Sequence, residues 1–280
     1  MNLNRRAFIG ASLCAACQWP SALAASAPIR RTPILIGYGV INLWHTIDPA
    51  ELAGLLSEAG CTLTEIEYVA WFDERGRKGL SSETHVAMAK RFVNAMRRQR
   101  ITTLISLVNW NGEAQRHQSD AWFQERLQEI NEQIGPERVI LLGVSEPDGQ
   151  EEGKAHRWMG FALEQWKSLK AACGDGGRGA PQVKGFDYVD WHHCEDFTEA
   201  TVRLRTAGVP TINNTDCGPV INPGPARAGA MARIAVKKGA HFLIYGFKDR
   251  AIDKAVINAL GDEIARSATI CPARPAKDQP

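Results

Sequence analysis

Seven times along this chain a short apolar run gives way to polar and aromatic residues, and a helical pattern follows. That repetition constrains the fold more than any other feature. Strands that alternate with helices through short loops pair in parallel, with the helices packed outside the sheet. The runs are residues 33–40, 62–69, 101–108, 139–144, 183–189, 209–213 and 241–245. The helical stretches carry their own boundary marks. Asp48-Pro49-Ala50-Glu51 offers a capping acid, a first-turn proline and an acid three residues past the cap. Ser119 is placed to cap a later helix, and Gly60, Gly135 and Gly239 to end three of them. Arg97-Arg98-Gln99-Arg100 closes another, where cations suit the helix dipole.

Seven strands are one short of a closed eight. The expected fold is therefore an α/β, TIM-type (β/α)8 barrel in which one strand is degenerate, or else an incomplete barrel. Residues 155–172 read as one long helix, which leaves Gly179-Ala180-Pro181-Gln182 as the place for a degenerate strand. An open Rossmann-type sheet is the rival, but no G-x-G-x-x-G follows the first strand. One barrel domain is expected over 33–268, after a linker at 25–32 and before a polar, proline-rich, disordered tail at 269–280.

The first 24 residues read as an address. Asn4-Arg5-Arg6-Ala7-Phe8-Ile9 resembles the twin-arginine export signal, an apolar stretch follows, and Ala22-Leu23-Ala24 supplies small residues for cleavage. The expectation is export by the twin-arginine machinery to the periplasm or beyond, with a mature chain starting at Ala25. What remains of the 280 residues suits one barrel, which typically takes about 250. Loss of Arg5 and Arg6 brings 33 basic residues level with 31 acidic ones. A near-neutral chain without a basic block gives nucleic-acid binding no electrostatic support. No later apolar run is long enough to span a bilayer. Five cysteines follow the signal: Cys61, Cys173, Cys194, Cys217 and Cys271. Cys194 and Cys217, each just after a candidate site residue on neighbouring strand ends, are expected to lie close enough to pair.

In a parallel barrel every strand's C-terminal end opens at one mouth, and chemistry collects there. This chain delivers Trp44, His45, Glu67, Trp71, Asn109, Trp110, Glu146, Asp190, Trp191, His192, His193, Asp216, Tyr245 and Phe247 to those ends. Aromatic faces stack on sugar rings, and carboxylates supply the acid, base and nucleophile of glycoside cleavage. A phosphoester site would call for Arg, Lys or a metal. Glu146, in Ser145-Glu146-Pro147, is the first candidate for general acid, and Asp216 for the group facing it. Glu67 and Asp190 stand in reserve, and Trp110, Asn109, Trp191, His193, Glu67, Asp190 and Tyr245 are expected to bind substrate. No cofactor is expected.

Several of these strand ends resemble one family. Gly143-Val144-Ser145-Glu146-Pro147 is similar to the strand-four ending of the retaining clan A glycosidases, where Asn-Glu-Pro carries the acid/base. Val209 to Gly218 is similar to their strand seven, which ends in the nucleophile. Phe186 to His193 resembles strand six, and Phe242 to Asp249 resembles strand eight. The resemblance implies a (β/α)8 fold, a carbohydrate substrate, Glu146 as acid/base and Asp216 as nucleophile, and it makes the missing strand the fifth. Ser145 replaces the family's Asn, and Asp216 is one methylene shorter than the family's Glu. Two other classes remain open. Asp190, His192, His193, Cys194, Asp216 and Cys217, with Glu146, could hold a divalent ion in a sugar isomerase-like or hydrolase-like barrel. The same aromatic mouth could also bind carbohydrate without cleaving it.

Overall fold

A computed structural model describes residues 33–41, 43–69, 82–109, 118–145, 152–175, 183–193, 195–215, 222–245, 247–248 and 251–270. Eight parallel strands form the barrel wall: β1 (Ile36–Gly39), β2 (Leu63–Val69), β3 (Thr102–Asn109), β4 (Val139–Ser145), β5 (Lys170–Asp175), β6 (Tyr188–His192), β7 (Val209–Asn214) and β8 (His241–Tyr245). Each pairs with its neighbours in sequence, and β8 returns to β1, so the barrel closes. A two-residue strand, Arg205–Thr206, pairs antiparallel with the start of β7. The link between them is Ala207-Gly208, both at positive φ, the backbone a tight two-residue hairpin needs.

Helices follow the strands as α1 (Pro49–Glu58), α2 (Ser82–Arg98), α3 (Asp120–Glu129), α4 (Glu152–Gln165), α5 (Gly224–Lys238) and α6 (Lys254–Ile270). The expected caps are in place. Asp48 accepts from the Ala50 N–H at 3.0 Å, and Ser119 accepts from the Trp122 N–H at 3.1 Å. α3 runs on as a π-helical turn, Ile130–Ile134, before Gly135 leaves at φ 75°. Among the described residues no helix is long and apolar enough to cross a membrane.

The fifth strand is the missing one, but it lies before residues 179–182. α4 stops at Gln165, and β5 occupies Lys170–Asp175, part of which the helical pattern over 155–172 predicts to be helix. The sixth strand also starts later than expected. Phe186 N–H donates back to Val183 O, and Gly185 stands at φ 88°, so residues 183–186 turn and β6 begins at Tyr188.

Strand alternation divides the apolar side chains into two layers. Leu35, Leu63, Leu104, Leu142, Tyr188 and Leu243 fill the barrel, while Ile66, Ile105, Leu141, Phe242 and Ile244 face the helices. β1 contributes only glycine to the interior along its own length. A Cβ at Gly39 would lie 2.0 Å from the Tyr245 ring, and one at Gly37 would lie 1.7 Å from Leu63 O. The absence of side chains there leaves room for Tyr245 to lie inside the barrel.

Candidate functional site

The inner face becomes polar toward the C-terminal mouth. Alternation turns Glu65 and Glu67 of β2 inward together, and does the same for Asp190 and His192 of β6. Asn214 ends β7 and Tyr245 ends β8, and both reach the same cluster. Tyr245 O–H donates to Glu65 Oε2. Asn214 Nδ2 donates to Glu65 Oε2 at 3.0 Å and to Asp190 Oδ1 at 3.0 Å, with Asp190 Oδ2 at 3.3 Å. His192 Nε2 donates to Asp190 Oδ2 at 2.8 Å, and Cys173 Sγ lies 3.9 Å from the same nitrogen. One amide thus joins two buried carboxylates from strands on opposite sides of the barrel, four places apart around the wall. Nearer the rim, Asn109 Nδ2 donates to Glu67 Oε1 at 2.6 Å, and Trp44 Nε1 donates to Glu67 O at 2.7 Å. The eight strands contain one Lys or Arg, Lys170, at the first residue of β5 and so at the end away from the mouth.

Two expected substrate contacts face the other way. Trp191 lies between Asp190 and His192, so its ring points out of the barrel, where the Arg203 guanidinium sits 3.8 Å from the ring centroid. It does not present a stacking platform to the mouth. His193 also lies behind the wall. Its Nε2 is 2.9 Å from Asn213 Oδ1, and its ring meets Phe197 edge-on at 5.2 Å. Desolvation pushes the His193 pKa down, against the opposing effect of the Asn213 hydrogen bond. Asn213 in turn donates to Arg203 O and His241 O. These residues fasten the 195–206 segment to the outside of β6 and β7.

The strands therefore bring Glu67, Asp190 and Tyr245 to the inner face, with Asn109 hydrogen-bonded to Glu67 at the rim, and they turn Trp191 and His193 away from it. Glu146, Asp216, Trp110, Trp71, Cys194, Cys217 and the 1–24 signal lie outside the described residues. Glu146 follows Ser145, the last residue of β4, and Asp216 follows Asn214 and Thr215 at the end of β7. Among the described residues no three His, Cys, Asp or Glu side chains are grouped to hold a metal ion. Of the expected ligand set, Asp190 and His192 are together, while His193 is on the opposite face.

The fold has relatives of known structure. A family 30 endoxylanase from Clostridium papyrosolvens matches with a TM-score of 0.56 at 11% identity, over 82% of this chain and 72% of that one. A family 5 glycoside hydrolase from Bacteroides vulgatus matches with a TM-score of 0.54 at 9% identity, over 78% of this chain and 58% of that one. The fold is a TIM-type (β/α)8 barrel. A phospho-2-dehydro-3-deoxyheptonate aldolase from Thermotoga maritima also matches, with a TM-score of 0.52 at 14% identity, over 85% of this chain and 70% of that one. Likeness at this level establishes the barrel, and the barrel hosts unrelated chemistries. No family model matches the chain. No curated protein matches it either.

Asn214, which joins most of this network, is not among the residues the strand-end pattern singles out. Its signal was present: an Asn pair closing β7 places one amide inside the barrel and one outside. Glu65, two residues before Glu67, shares its face by alternation. Acid–base and hydrogen-bond chemistry is what this inner face can do. It offers carboxylates, amides, an imidazole and a phenol.

Proposed function

We propose that this chain is an exported, metal-independent glycoside hydrolase. The observation that carries the reading is the composition of the barrel's inner face. Its mouth end is built from carboxylates, side-chain amides and Tyr245, with the strands' one cation at the far end. Such a lining suits a polyhydroxylated neutral substrate and does not suit a phosphorylated one. Glu146, one residue beyond β4, acts as general acid and then base, and Asp216, two residues beyond Asn214, attacks the anomeric carbon or activates water. In the attacking case the glycosidic C–O bond breaks as the Asp216 ester forms and Glu146 protonates the leaving oxygen. Water deprotonated by Glu146 then displaces the ester. Glu67 with Asn109, and Asp190 with His192, supply the polar lining around the sugar.

The test is direct. Periplasmic protein should begin at Ala25 and should release reducing ends from at least one of cellulose, xylan, mannan and mixed-linkage glucan in the presence of EDTA. Activity lost on chelation and restored by a divalent ion would replace this reading with the metal-dependent one. A chain retaining residues 1–24 would refute export.

A further inference from the structure

Asn214 is held in one orientation by two carboxylates and, at 3.4 Å, by the Tyr245 hydroxyl, whose own hydrogen goes to Glu65. Its amide nitrogen faces Glu65 Oε2 and both Asp190 oxygens at 3.0–3.3 Å. Turning the amide over would set its oxygen against three carboxylate oxygens with no hydrogen between them. The chemistry of the partners therefore assigns nitrogen and oxygen unambiguously. Each carboxylate is itself fixed from a further strand or residue, Glu65 by Tyr245 and Asp190 by His192. The consequence falls on the other atom. Asn214 Oδ1 is buried and accepts no hydrogen bond, in a side chain with 0% exposure. An unpaired buried acceptor costs about 1–3 kcal/mol. Ser106 Oγ, on the inner face of β3 and in register with Glu67, is a second buried oxygen of this kind.

We propose that Asn214 Oδ1 is a substrate-binding acceptor that receives a hydrogen bond from a ring hydroxyl of the bound sugar. The proposal rests on the glycosidase reading for its choice of ligand. Its geometry is independent of Glu146 and Asp216. Asn214 ends β7 at the mouth end of the barrel wall, so a hydroxyl bound there sits at the mouth. The two carboxylates act on the sugar through Asn214: they hold its amide so that the oxygen is already aimed. An acceptor held this way suits a hydroxyl, which brings the hydrogen the site lacks, and disfavours a deoxy sugar at that position, which leaves the oxygen buried and unpaired.

The experiment uses the mature chain with cellotetraose, xylotetraose and mannotetraose as probes, by calorimetric titration and by crystal structures of the wild-type complexes. The expected result is that at least one probe binds, with a sugar hydroxyl oxygen 2.6–3.2 Å from Asn214 Oδ1, about the range of such bonds. Asn214→Ala should weaken that probe at least tenfold. If no probe binds, if the bound sugar leaves Oδ1 facing only water or protein, or if a folded Asn214→Ala chain binds as tightly as wild type, the proposal is wrong. Should Asn214→Ala fail to fold, the wild-type complexes decide. A probe that binds through Asn214 but is never cleaved would end the glycosidase reading and leave this contact standing. A probe that is cleaved without touching Asn214 would do the reverse.

Discussion

Tyr245 can reach Glu65 across the barrel because residue 39 has no side chain. A methyl group there would overlap the ring at 2.0 Å, and the neighbouring atoms are an aromatic ring held by its own hydrogen bond. Gly39→Ala should therefore cost about 1–3 kcal/mol of unfolding free energy, as overpacking of a tight core does. It should also move the phenol off Glu65. Tyr245→Phe should reproduce the lost hydrogen bond without the overlap. Urea unfolding of the two variants separates the effects. An unchanged midpoint for Gly39→Ala would mean that the ring has room this account denies it. At the same scale, Cys61 is a core residue whose burial pushes its thiol up to about 12. It belongs to the packing between barrel and helices.

β8 begins with a histidine that the fold holds neutral. His241 Nδ1 accepts from the Leu35 N–H at 2.9 Å, so that nitrogen cannot carry a proton, and burial lowers the pKa from 6.5. His193 is lowered in the same direction by desolvation. Unfolding returns both to water, where they bind protons more readily. Their contribution to stability is thus complete above about 6.5 and drains away as pH falls from there toward the depressed folded values. Unfolding free energy should be flat from pH 8 to 7 and decline below 6.5. In His241→Gln, the part of that decline owed to His241 should vanish. A pH profile identical to wild type would contradict the assignment. The elements were legible in the sequence where local signals agreed: Asp48-Pro49, Ser119, Gly135 and the apolar runs of β2, β3, β4 and β8 fall where pattern and caps place them. β5 was not legible because Lys170-Ala171-Ala172-Cys173-Gly174-Asp175 has neither β-branched nor aromatic residues, and its alanines favour a helix. It is a strand because β4 and β6 present paired edges on either side. β6 starts later than its pattern predicts because its polar half reads as a loop, although Asn214 and the Asp190–His192 pair satisfy it inside the barrel. Trp191 was misplaced for a related reason. Only the strand's true start shows which of Asp190 and Trp191 faces inward.

At the scale of the whole molecule, closure is what turns scattered residues into a site. Glu65 and Asn214 are separated by most of the chain and by two intervening strands, yet they meet inside the barrel at 3.0 Å. The same closure brings the ends of β4 and β7 to one mouth, as the proposed pairing of Glu146 with Asp216 requires. The fold leaves the reaction open, since aldolase and glycosidase barrels both resemble it. The measurement that tests the central claim most directly is therefore a comparison of wild type with Glu146→Gln on whichever glycan is cleaved, with turnover and binding read separately in EDTA. Turnover should fall at least about a hundredfold, in keeping with the loss of a positioned general acid, while sugar affinity should stay within about threefold, because the amide keeps the carboxyl group's shape and has no proton to give. Full turnover by Glu146→Gln would contradict that claim.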